Sequence, residues 1–160
     1  MENADPELSL LRHALATLAY RAGKALRNAP HEFASYRASP VTRTPVEILA
    51  HMGDLLDWSL TIANSEQRWR ESEPLAWDAE IARFFAALEA LDGRLDDTRP
   101  IGAPIERLFQ GPIADALTHT GQLAMLRNMA GVPMGGENYY VADIQQGRVG
   151  RIQSAPVREF

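Results

Sequence analysis

One largely apolar stretch of this sequence, GPIADALTHTGQLAMLRNMAGVP, residues 111 to 133, carries Asp115, His119 four positions later, and then Gln122. On a helix, positions 112, 115, 116, 119, 122, 123 and 126 share one face, and all three line up among Ile, Leu and Met neighbours. A carboxylate on such a face is costly if buried unless it is paired, protonated or bound to a metal ion. Side chains at i and i+4 start roughly 6 Å apart, close enough for both to reach one ion. A site of this kind needs a third protein ligand from a facing helix, and His51, on the apolar stripe of a separate segment, is the natural candidate. Two imidazoles and one carboxylate with open positions suit a divalent first-row ion, and open positions distinguish a reactive site from a structural one. The competing reading is plainer. Asp115 and His119 form an i, i+4 ion pair on a partly exposed face, Gln122 is a polar rim residue, and His51 is a core histidine bonded to a carbonyl or to Asp54.

Other chemistry finds less support. The 160 residues contain no cysteine, which removes thiolate nucleophiles, cysteine zinc sites and disulfides together, so any thiol must come from outside the chain. Ser59 and Ser65 have no arranged base for nucleophilic catalysis. His13 reads as a surface histidine, His31 as a loop residue and Glu47 as part of a helix cap, while Met125 and Met129 stand at core spacing. Trp58, two turns beyond His51, is either core filler or the wall of a pocket. Sixteen basic and 21 acidic residues give a net charge of -5 with no basic stripe, which argues against nucleic acid as a partner. MENADPELSLL shows neither a basic region nor an apolar run, and no segment has the ~18 apolar residues a membrane span needs. A cytoplasmic protein without a membrane partner is expected.

The elements that must position these residues are legible from their punctuation. Asp5-Pro6 is an N-cap followed by proline, and Leu8, Leu11, Leu15 and Leu18 follow at helical spacing until Asn28-Ala29-Pro30. Residues 31 to 43 read as a connection with one helical turn in 32–37. Thr44-Pro45-Val46-Glu47 is a capping box, and behind it Ile48, His51, Leu55, Trp58 and Ile62 form a stripe on a second helix predicted to run to about Trp69. A third helix is predicted from Trp77 to Leu95, with Ile81, Phe84, Phe85, Leu88, Leu91 and Leu95 on its apolar face and Asp78, Glu80, Arg83 and Glu89 elsewhere. After a connector with a short turn at 105–109, the fourth helix is predicted from Pro112 to Ala130, closed by Gly131 in the left-handed conformation. One domain follows: an all-α four-helix bundle over residues 1–133, with an irregular tail, 134–160, lying on the bundle or on a partner subunit.

EILAHMGDLLDWSL in the second helix and ADALTHTGQLAMLRNMAG in the fourth resemble the DinB/YfiT-like superfamily of bacterial four-helix metalloproteins. That family carries a histidine on helix two and a His-x-x-x-His pair followed by Gly-Gln on the later helix. His51 matches the first, His119 the second histidine of the pair, and Gly121-Gln122 the residues after it. Asp115 stands where the family has the other histidine. The resemblance, over roughly residues 8 to 131, implies a bundle of unusual helix order, a homodimer, and a divalent ion, zinc or nickel before iron or manganese, held by His51, Asp115 and His119. Gln122 and Trp58 then orient a ligand and wall the pocket. It also implies transfer or isomerisation chemistry on a small-molecule substrate, dependent on a low-molecular-weight thiol as cosubstrate. The alternatives are metal-dependent hydrolysis, or a binding scaffold in which the aspartate marks loss of the ion.

Overall fold

The computed structural model describes residues 5–160, and among them the chain is an all-α four-helix bundle. Helix α1 spans Pro6–Leu26, with the Asp5 side chain accepting a hydrogen bond from the Glu7 amide, and it buries Leu11, Leu15, Leu18 and Ala22. A crossover with a 3-10 turn at His31–Ser35 buries Phe33 edge-on to Trp77. Helix α2, Pro45–Ala63, opens with both halves of the predicted capping box: the Glu47 amide donates to Thr44 Oγ1 at 3.4 Å and the Thr44 amide to Glu47 Oε2 at 2.7 Å. Helix α3 is Trp77–Leu95, the predicted bounds, and its six apolar-face residues are all buried.

Helix α2 stops six residues short of Trp69, and the reason lies on α3. Buried Arg94 donates to the Ala63 carbonyl at 3.0 Å and to Asn64 Oδ1 at 2.6 Å, while Ser65 and Gln67 take positive φ. These bonds satisfy the last carbonyl of α2 and hold the Asn64 side chain that follows it, and the apolar stripe ends with Ile62. The chain then turns back, and residues 66–76 run as an extended strap beside α2. Backbone amides along the strap pin it to α2 and α3: Glu66 to the Thr61 carbonyl at 2.8 Å, Arg68 to Thr61 Oγ1 at 3.0 Å, Ser72 to Asp54 Oδ2 at 2.9 Å and Leu75 to Glu80 Oε2 at 2.8 Å. Glu80, assigned from sequence to the polar side of its helix, is fully buried; Arg83 draws it together with Asp54 and Asp57 and ties α3 to α2.

The fourth helical column begins earlier than predicted. A short α4, Ile105–Leu108, passes through a π turn, Phe109–Ile113, into α5, Ala114–Met129. Pro112 therefore lies inside a continuous helical path rather than at its start, and the wider π turn accommodates a residue that has no amide hydrogen to give. At the far end Gly131, with φ of +75°, forms the predicted left-handed cap. Met125 and Met129 are 57% and 53% exposed and are not core residues; Leu123 and Leu126 are the leucines of α5 that are buried.

Helices α1 and α2 each pack against both α3 and α5, which places α1 and α2 at opposite corners of the bundle. The long crossover 27–44 makes that diagonal passage possible. The tail folds over α1: Glu137 accepts from the Tyr20 hydroxyl and from Lys24 Nζ, and Lys24 also reaches Glu159 at 2.9 Å. An isolated antiparallel bridge between Glu137 and Glu159 closes the tail on itself, and Val149 is buried within the core. No helix among the described residues is long and apolar enough to cross a membrane.

Candidate metal centre

Because α2 and α5 are neighbours, the stripe that carries His51 meets the face that carries Asp115 and His119. One ligating atom from each of the three lies within 4.8 Å of the others, and among the described residues no other group of three such side chains converges in this way. His119 Nε2 is 3.4 Å from Asp115 Oδ1, and His51 Nε2 is 3.7 Å from Asp115 Oδ2. These separations are too long for good hydrogen bonds. They are close to the spacing of donors around a tetrahedral ion with bonds of about 2.0–2.1 Å, which places neighbouring donors roughly 3.3–3.4 Å apart. The two imidazole rings stand edge to face, 4.9 Å between centroids.

Gln122 is exposed, one turn beyond His119, and its Oε1 lies 2.7 Å from His119 Nδ1. An amide oxygen can only accept, so this contact is a hydrogen bond in the tautomer that carries its proton on Nδ1, the tautomer whose Nε2 lone pair is directed toward Asp115. A ring nitrogen fixed in this way is a common support for a metal-binding histidine. His51 makes no hydrogen bond to a carbonyl or to Asp54, whose oxygens are taken by Arg83 and the Ser72 amide. Burial holds the His51 pKa below its ordinary value, with the charges of Arg43 and His119 acting in the same sense and Asp115 against it. The neutral ring that results is the form that ligates metals.

One premise from the sequence needs correction. The Asp115 side chain is 47% exposed, against 20% for His51 and 12% for His119, so its carboxylate is hydrated on one side and does not require a partner to be tolerated. What supports coordination is the convergence of three donors and the fixed tautomer, not the cost of burial. The half-open carboxylate also leaves the cluster accessible from outside. The donor set fits a divalent first-row ion, with two neutral nitrogens, one anionic oxygen and room for further ligands.

Trp58 lies at the rim of the core and lines an open groove of about 960 Å³ together with Trp69, Leu75 and residues of the strap. Trp69 was missed by sequence reasoning because it was placed inside the second helix. The strap instead brings it edge-on to both His51 and Trp58, 5.8 Å between centroids in each case. Asn64-Ser65, read as a helix stop, was the available signal. Comparison with protein-family models, curated proteins and solved structures gives no match.

Proposed function

We propose that this chain is a metal-dependent enzyme of the DinB-like type, acting on a small molecule in the cytoplasm, with His51, Asp115 and His119 as the metal ligands. The observation that carries the reading is the placement of three donor atoms from two helices within 4.8 Å, with one imidazole locked by Gln122. A divalent ion held there would supply Lewis acidity, lowering the pKa of a thiol or a water. The chain contributes the rest. Its half-exposed carboxylate leaves an approach from solvent, Trp58 and Trp69 offer an apolar wall beside His51, and the strap keeps that wall in place. With no cysteine of its own, the protein would use an external low-molecular-weight thiol. In that reaction the S–H proton is released, a sulfur–carbon bond forms at the electrophile and the leaving group departs with its bonding pair.

The decisive experiment is metal analysis of protein purified without an affinity tag, alone and as His51→Ala and His119→Ala. Near-stoichiometric zinc or nickel in the parent, lost in both variants, is expected. Parent protein holding less than about a tenth of an equivalent, and taking up none on dialysis against zinc or nickel, would remove the enzyme reading and leave a binding scaffold. A positive result leads to a screen of thiols against electrophiles; turnover without thiol would shift the assignment to hydrolysis.

A further inference from the structure

Beside the three donors, one cation has no counter-ion. Arg43 and His51 line the same pocket of about 360 Å³, bounded by the end of the crossover, the start of α2 and the strap. Arg37, the other arginine on its walls, is engaged: it donates to the Thr42 carbonyl and faces Glu47 at 3.5 Å, while Asp54, also on the walls, is held from α3 by Arg83. Arg43 is exposed and, among the described residues, makes neither a hydrogen bond nor an ion pair. Its backbone is nonetheless fixed, since Thr42 closes a turn onto Ser39 and Thr44 caps α2 on the other side.

The pocket is lined by charges of both signs. Glu47 is paired with Arg37, Asp54 is held by Arg83, which also serves Asp57 and Glu80, and Glu71 and Glu73 are exposed to water on the strap. A divalent ion with two neutral imidazoles and one carboxylate keeps an excess positive charge, and Arg43 adds another beside His51. A neutral ligand leaves both uncompensated, whereas a ligand with a thiolate at one end and a carboxylate at the other satisfies both. A guanidinium is also the side chain whose planar donors match a carboxylate in paired fashion.

We propose that Arg43 is a specificity-determining residue that binds a carboxylate of the small molecule taken up at the His51–Asp115–His119 centre, selecting acidic thiols over neutral ones. The proposal rests on the metal reading of that centre. Three thiols with the same two-methylene spacer, 3-mercaptopropionate, 2-mercaptoethanol and cysteamine, are titrated into the cobalt(II)-loaded protein and followed by the visible absorption of cobalt. The comparison is then repeated with Arg43→Gln and Arg43→Lys. Because each affinity ratio is compared between variants, differences in thiol acidity cancel. The acid-to-neutral ratio is expected to fall about tenfold in Arg43→Gln at low salt and to be largely kept in Arg43→Lys. An unchanged ratio, a preference for cysteamine in the parent that would reveal Glu71 and Glu73 as dominant, or no spectral response to any thiol would each overturn the assignment of Arg43. Failure to take up cobalt at all would instead overturn the metal reading, and this inference with it.

Discussion

Gln122 holds His119 from behind: its side-chain oxygen sits 2.7 Å from Nδ1, leaving Nε2 directed toward Asp115. An exposed glutamine thus favours the tautomer of a mostly buried imidazole that leaves Nε2 available. Gln122→Ala is expected to weaken zinc binding about tenfold while leaving the urea midpoint of the metal-free protein unchanged, and Gln122→Glu to restore or exceed the parent affinity. Competition with a chromogenic chelator measures both. Unaltered affinity in Gln122→Ala would show that the contact does not support the site.

Asp115 offers a second, independent test. As a ligand, its replacement by histidine should keep or tighten zinc binding, since imidazole is an equally good donor for that ion, whereas Asp115→Ala should weaken it. Equal affinity in all three proteins would remove Asp115 from the ligand set.

Trp69 reports on His51. With 5.8 Å between the two rings, nickel or copper at the centre should quench this indole, and most of the quench should vanish in Trp69→Phe. Trp77→Phe, which alters an indole packed against Phe33 instead, should leave the quench intact. A quench insensitive to Trp69→Phe would place the bound ion elsewhere.

The tail clamp makes a prediction for stability. Lys24 and Glu137 are 2.8 Å apart, with side chains 6% and 0% exposed, so Glu137→Leu leaves the buried ammonium with only the half-exposed Glu159, leaves the Tyr20 hydroxyl without its acceptor, and is expected to cost about 3 kcal/mol in urea unfolding. Lys24→Met combined with Glu137→Leu should recover most of that loss, because apolar replacement of both partners removes the desolvation cost as well. A single-variant loss below about 1 kcal/mol would rank the pair with ordinary surface ion pairs.

The same clamp sets an alkaline limit. Burial, together with the hydrogen bond and the charge of Glu137, pushes the Tyr20 phenol well above its usual value of 10.0. The folded state then holds a proton that the unfolded chain releases, so this contribution to stability is intact below pH 10 and is lost as the pH rises through the folded value. Absorbance titration of the four tyrosines should show one that ionises only with unfolding, and Tyr20→Phe should abolish that late step.

Sequence punctuation carried most of the fold. Asp5-Pro6, the Thr44–Glu47 capping box and Gly131 act within a few residues of themselves, so their outcome depends little on tertiary context, and the α3 stripe is long enough to set its own bounds. What was not legible depended on partners distant in sequence. The end of α2 is set by Arg94, thirty residues on, and the burial of Glu80 by the return of Leu75 from the strap. Pro112 looked like a helix start because a π turn leaves no obvious mark in sequence. At the site, helical spacing brought Asp115 and His119 together and a shared core brought His51 to them. The exposure of Asp115 was not legible, since the depth of a residue on a helix face depends on what covers its edge.

Lys24 is the only lysine in the sequence, and the tail covers it. The folded chain consequently presents no reactive side-chain amine to solvent: reagents and enzymes that acylate lysine have nothing to attack while the tail is seated. Acylation of Lys24 is therefore a clock for tail release, counting each excursion of Glu137 and Glu159 away from α1 as a covalent mark on a single residue.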